Sequence, residues 1–248
     1  MSVYNTLLTT YRNKKSGYWV LIDPDDLPLD KIPTFMERLK KSEVDIILIG
    51  GSLIMNSDFE NFVGEIKKHA GSIPVVLFPG GAYQVTPQAD AILFLSLLSG
   101  RESYHLISNQ VMAAPLEYRS KLEPISTAYM LVESGKPTSA QFMSGTTPLP
   151  RDKPDIAVAH ALAAQYLGFK LIYLEAGSGA ELSVPEEMIS AISRTVDIPL
   201  IVGGGIKTPE QAAAKVAAGA SFVVTGNVLE NNHQDDLILA FSKAVHNI

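Results

Sequence analysis

A chain of 248 residues with 46% hydrophobic side chains and no cysteine is long enough for one large core, and it excludes disulfides, thiolate metal sites and cysteine nucleophiles. A formal net charge of -6, with no basic run longer than a pair, argues against a nucleic-acid surface, so an anionic ligand has to be held by backbone amides, a cation or a few lysines. No stretch approaches the roughly 20 apolar residues of a membrane span, and residues 1–19 lack the segment order of an export signal; the expectation is a cytoplasmic protein whose residues 1–248 form a single domain.

In chain order, Tyr4, Leu7, Leu8 and Tyr11 fall on one helical face and predict a docked opening helix. Eight short runs bounded by Gly, Pro or Asp follow: GYWVLID (17–23), VDIILIG (44–50), IPVVLF (73–78), DAILFL (90–95), STAYMLV (126–132), KLIYLEA (170–176), IPLIVGG (198–204) and SFVVTG (221–226). They are continuously apolar rather than alternating, which is the pattern of parallel strands covered on both faces. Amphipathic segments lie between most of them, at 35–41, 58–70, 154–168, 185–196 and 209–219. Strand then helix, eight times, predicts a (β/α)8 TIM barrel. At the last of these helices Thr208 is an N-cap, Pro209 the first helical residue and Gln211 the partner for a capping box, with Gly219 as the stop.

Two spans break the rhythm. Only eleven residues separate Phe78 from Asp90, and they include Pro79, Gly80, Gly81 and Pro87. That is too few for a helix and its two loops, so the third outer helix should be missing or replaced by a loop, leaving a gap in the barrel's coat. The run LFLSLLSG (93–100) then either belongs to the core or lines an apolar groove at that gap. The stretch from Glu133 to Lys153 is rich in Gly, Ser, Thr and Pro and reads as a lid or binding loop.

Barrel enzymes place their chemistry at the C-terminal ends of the strands. Gly203-Gly204-Gly205 after the seventh run and Thr225-Gly226-Asn227 after the eighth let backbone amides converge on a phosphate. Glu175 ends the sixth run ahead of the loop Ala176-Gly177-Ser178-Gly179 and can act as a general base or anchor a substrate hydroxyl. Tyr173 shares its face by the strand's period of two; it is either a second contact to that ligand or an ordinary core tyrosine. Asp23 ends the first run, and Gly50-Gly51-Ser52 ends the second. Asp23 and Ser52 together suit a hard cation such as Mg2+ carried with a diphosphate, or else they serve turns and caps. Asp25 and Asp26 lie beyond Pro24 and read as turn residues. The five histidines share no metal-ligand spacing.

Taken together, LIDPD, GGS, FPG, YLEAGSG, VGGGI and TGN, each after its strand, resemble the geranylgeranylglyceryl phosphate synthase family over about residues 17–227. The resemblance implies a Mg2+-assisted prenyltransferase that joins a polyprenyl diphosphate to the 3-hydroxyl of sn-glycerol 1-phosphate and releases diphosphate. It puts Asp23 and Ser52 at the metal, and it puts Tyr173, Leu174, Glu175, Ala176, Gly177, Ser178, Gly179, Gly204, Gly205, Gly226 and Asn227 at the glycerol phosphate. It also implies a homo-oligomer, a dimer or hexamer, with peripheral membrane contact for the lipid product. Relatives using a heptaprenyl donor carry a lysine where this chain has Leu21, which leans toward a geranylgeranyl donor. Burying a twenty-carbon tail is worth about 10 kcal/mol gross, so tail fit should govern donor choice. The competing readings are a heptaprenyl donor, an unrelated phosphate-binding barrel isomerase or aldolase, and a non-catalytic binder of phosphorylated metabolites. A Schiff-base aldolase would want a lysine ending a strand, and none does.

Overall fold

The computed structural model describes residues 2–55, 58–230 and 235–246. Eight parallel strands close into one barrel in chain order: β1 (Gly17–Ile22), β2 (Ile46–Ile49), β3 (Val75–Leu77), β4 (Ala91–Leu97), β5 (Glu123–Leu131), β6 (Leu171–Glu175), β7 (Leu200–Gly203) and β8 (Phe222–Thr225), with β8 pairing back to β1. Ten helices accompany them among the described residues: α1 (Val3–Arg12), α2 (Ile32–Lys41), α3 (Phe59–His69), α4 (Asn109–Ser120), α5 (Ser139–Ser144), α6 (Pro154–Tyr166), α7 (Glu186–Ser193), α8 (Pro209–Ala217), α9 (Asn227–Glu230) and α10 (Asp235–His246). All eight runs read from the sequence are strands, and the barrel is the predicted one.

Alternation along each strand sorts the side chains into two cores. Val20, Ile47, Ile172 and Leu174 point outward and meet the apolar faces of helices, for example Ile32, Met36 and Leu39 of α2 and Met188, Ile189 and Ile192 of α7. Trp19, Leu48, Leu93, Ile125, Ile201 and Phe222 point inward and fill the lumen, with Trp19 stacked on Phe222 at 4.8 Å. Each fully buried side chain of this size contributes about 2 kcal/mol.

The opening helix docks as expected, though Val3 and Leu7 are the residues it buries. Both join the lumen cluster, so α1 seals one mouth of the barrel. Its free amides are taken by Glu123, whose carboxylate accepts the N–H groups of Val3 (2.6 Å) and Tyr4 (3.1 Å); a carboxylate there also complements the positive end of the helix dipole. At α8 the Thr208 hydroxyl accepts the Gln211 N–H at 3.3 Å, as predicted, but the Gln211 carbonyl reaches past Thr208 to the N–H of Lys207 at 2.7 Å.

Between β3 and β4 there is no α-helix, only a 3-10 turn over Ala82–Gln84. The strand ends beneath this gap are tied by Asp90, which accepts the Val75 N–H (2.7 Å) and pairs with Lys67 (2.6 Å). Next in the chain, a wide π-type turn over Tyr104–Ser108 runs straight into α4, which packs on the 3-10 turn. The Gln110 carboxamide holds that turn by donating to the carbonyls of Leu95 (2.5 Å) and His105 (3.0 Å). The loop from Glu133 to Lys153 contains the short helix α5, capped by Thr138.

Candidate functional site

A cavity of about 860 Å3 opens at the C-terminal ends of the strands. The strand order divides its rim. The arc from β6 through β7 and β8 to β1 supplies Glu175, Ser178, Gly204, Gly205, Lys207, Gly226, Asn227 and Asp23. The opposite arc, from β2 to β5, supplies Leu53, Phe78, Tyr83, Leu95, Leu97, Tyr104 and Met143. The charged groups and most of the glycine turns thus lie on one arc and the large apolar side chains on the other, where they are interleaved with Ser52, His105, Asn109 and Gln110; such an opening can take a ligand with an anionic head and a hydrocarbon tail. The second arc lies where the third helix is missing.

Asp23 stands on the polar wall. Its carboxylate accepts the Asp25 N–H at 3.0 Å, and its backbone carbonyl accepts the Asp26 N–H at 3.1 Å, so the three acids form one turn. Asp25 turns away to accept the Met55 N–H at 2.7 Å. Burial raises the pKa of Asp23; the Asp25 N–H opposes that shift, and the charges of Asp26 and Asp25 add to it. A carboxylate desolvated among like charges is one that a cation would relieve. The β2 loop is pressed against it, since a Cβ on Gly51 would sit 2.6 Å from Asp23 Oδ2. Ser52, the next residue, lines the same cavity. Mg2+ takes one or two carboxylates and completes its shell with water and other oxygens; Asp23 and Ser52 offer one carboxylate and one hydroxyl on the same cavity, a set that fits such an ion. Among the described residues no group of three His, Cys, Asp or Glu could hold a metal ion.

Glu175 stands at the far end of the same arc, at the end of β6, and is only 5% exposed. Burial pushes its carboxyl up to about 7, while the Gly177 N–H at 2.5 Å and the nearby Tyr173 hydroxyl pull it down. Tyr173 is wholly buried in the lumen, and its hydroxyl faces Glu175 without closing a hydrogen bond of normal geometry. Its ring stacks on Phe78 at 5.0 Å, and Tyr129 meets both rings at 5.6 to 5.8 Å. These three rings floor the cavity between the two arcs. Phe78 and Tyr129 are additions to the residues singled out from the sequence; each is an aromatic residue near a strand's C-terminal end, which was the available signal.

Gly204 adopts a φ of +81°, and a Cβ there would stand 2.2 Å from Glu175 Oε1 and 2.5 Å from the Gly177 amide nitrogen. Gly204→Ala is therefore expected to strain the backbone and displace Glu175, costing about 2 kcal/mol and lowering the melting temperature by about 4 to 8 °C in a thermal denaturation scan. Across the loops, the Ser178 hydroxyl donates to the Asn227 side chain, joining the β6 loop to the start of α9. Lys207, not singled out from the sequence, lines the cavity with its ammonium on the Glu181 carbonyl at 3.0 Å.

Of the residues assigned to the polar site from the sequence, Tyr173, Glu175, Ser178, Gly179, Gly204, Gly205, Gly226 and Asn227 line the cavity. Leu174, Ala176 and Gly177 do not. Leu174 and Ala176 belong to the outer core because alternation turns them outward, and the Ala176 amide is used by the Gly203 carbonyl. Gly177 spends its amide on Glu175.

Residues 9–245 match the PcrB family. A geranylgeranylglyceryl phosphate synthase from Spirosoma linguale is 43% identical over 92% of this chain and 91% of its own. One of the same name from Thermococcus gammatolerans is 42% identical over 88% and 85%. The solved structure of (S)-3-O-geranylgeranylglyceryl phosphate synthase from Thermoplasma acidophilum, in complex with its substrate sn-glycerol-1-phosphate, superposes with a TM-score of 0.92 at 32% identity over the full length of both chains.

Proposed function

The chain belongs to the PcrB family, and from that premise we propose that it is a Mg2+-dependent prenyltransferase joining geranylgeranyl diphosphate to the 3-hydroxyl of sn-glycerol 1-phosphate. One observation carries the reading: the buried Glu175 carboxyl stands on a glycine-rich arc, beside an aromatic floor and across from an arc that carries the large apolar side chains.

Each part of the cavity has work in this reaction. The amides of the Gly204-Gly205 and Gly226-Asn227 loops receive the glycerol phosphate, with the Lys207 ammonium close by. Glu175 orients the 3-hydroxyl and accepts its proton as the ether bond forms to C1 of the donor. The bond from C1 to the diphosphate breaks, and the electron pair leaves with the diphosphate. The diphosphate lies against Asp23 and Ser52, which would hold the ion. When bound, Mg2+ neutralises the charge gathering on that leaving group. The rings of Phe78 and Tyr129, both partly open to the cavity, offer cation–π stabilisation to the allylic carbon as it turns positive, with Tyr173 stacked beneath Phe78.

The tail lies along Leu53, Leu95, Leu97 and Tyr104 in the arc left open by the missing helix. Leu21 lines the cavity as well, and an uncharged side chain there suits the geranylgeranyl donor. Exposed Val111, Met112 and Tyr118 on α4 support self-association into a dimer or hexamer. Exposed Met55, Tyr83 and Phe142 in the loops beyond β2, β3 and β5 support peripheral contact with a membrane from the cytoplasmic side. No helix among the described residues is long and apolar enough to cross one.

The test is incubation of radiolabelled sn-glycerol 1-phosphate and Mg2+ with a panel of C10 to C35 prenyl diphosphates. The expected result is a butanol-extractable product, greatest with the C20 donor. No extractable product from any donor would overturn the reading.

A further inference from the structure

Gln84 lies in the 3-10 turn that replaces the third helix, and its side chain is completely buried. Its carboxamide makes four contacts. Nε2 donates to the Gly51 carbonyl at 2.9 Å and to the Tyr83 hydroxyl at 3.1 Å. Oε1 accepts the Gly80 N–H at 3.1 Å and the more distant Gly51 N–H at 3.5 Å. The partners fix which end is which, because a carbonyl needs a donor and an amide needs an acceptor. The two loops it joins are already in backbone contact: a Cβ on Gly80 would stand 2.4 Å from the Gly51 carbonyl oxygen and 3.0 Å from that of Ser52.

In a complete (β/α)8 barrel a helix would follow β3 and cover this side of the barrel. Here one side chain spans the β2 and β3 loops at that place. Gly51 is the residue packed against the Asp23 carboxylate, and Ser52 follows it. We infer that Gln84 is a positioning residue for the diphosphate end of the cavity, setting the distance between the β2 loop and Asp23 through Gly51. It touches no substrate. Glutamine is required because both a donor and an acceptor are used. Glutamate of the same shape would set a negative oxygen against the Gly51 carbonyl, and methionine would leave the Gly51 carbonyl and Gly80 amide unpaired.

The inference rests on the proposed reaction for the identity of the ligand, but its test is of binding. Wild type, Gln84→Met and Gln84→Glu are titrated by calorimetry with inorganic diphosphate in Mg2+ and, separately, with glycerol 1-phosphate, and each is melted. The expected result is diphosphate binding weakened about tenfold or more, the equivalent of roughly one lost hydrogen bond, with glycerol phosphate binding changed by less than about twofold because the loops after β6 and β7, which supply most of its site, lie across the barrel from β2 and β3. Gln84→Glu should be the weaker binder of the two. Equal weakening of both ligands would reduce Gln84 to a fold-stabilising residue and overturn the inference; so would unchanged diphosphate binding, or a wild type that binds no diphosphate. If Gln84→Met does not fold, Gln84→Glu carries the same comparison. A wild type that binds both ligands yet forms no ether from any donor would sink the reaction and leave the role of Gln84 standing.

Discussion

Glu175→Gln is expected to lower kcat by a factor of about 10² to 10⁴, the usual contribution of a placed general base, while the KM for glycerol phosphate changes only a few-fold. Glutamine keeps the shape and an acceptor for the Gly177 N–H, so the loop stays in place. It cannot take a proton. The wild-type pH profile carries the same argument. With burial holding the carboxyl at about 7, kcat/KM should rise along a limb centred near that value, because the ionised form is the base, and the limb should vanish in the glutamine variant. Stability should run the other way. A carboxyl whose folded pKa lies above its ordinary value of 4.5 stabilises the fold below that value, and the contribution is lost as pH rises through about 7. The whole effect is at most about 3 kcal/mol. Glu175→Gln should therefore melt higher than wild type at pH 8 and close to it at pH 4.5. Unchanged turnover would remove Glu175 from the chemistry.

Asp23→Asn is expected to abolish Mg2+-dependent turnover, a loss of at least about 10³ or 4 kcal/mol in the barrier. Asparagine offers one carbonyl oxygen where a hard cation wants a full negative charge. The fold should tolerate the change, because the pKa of Asp23 is raised by burial and by its acidic neighbours, and removing that charge relieves both. Asp26→Asn should cost little, since the turn uses only its backbone amide. Kinetics at several Mg2+ concentrations check the pair of variants. Equal losses at the two positions would show that the site spreads its charge over the turn.

How much of this was legible in the sequence follows from what each segment packs against. The eight strands were visible because both faces of a parallel barrel strand are buried, leaving continuous apolar runs such as IILI and LIVG. The missing helix was visible as a count of residues. In contrast, α4 gave no periodic signal: Val111, Met112, Leu116 and Tyr118 are apolar yet exposed, Glu117 is buried, and Pro115 interrupts the run. At the site, residues at strand ends were legible because position along the strand fixes the rim and alternation fixes the face. That logic found Asp23 and Glu175, and applied one residue at a time it would have set Leu174 and Ala176 aside. Gln84 was not legible, since its role depends on two glycine backbones brought together from loops that are distant in the chain.

The seal formed by α1 decides the direction of the tail. Val3 and Leu7 fill the barrel from the base, and Trp19, Phe222 and their neighbours fill it above them, so no hydrocarbon can run down the central axis. In the proposed reaction the tail would turn outward over the strand ends, toward Tyr104, His105, Asn109 and Gln110, which line the cavity. On that reading donor length would be measured along the circumference of the barrel, so that one side wall could set it while the eight strands and the sealed base stay as they are.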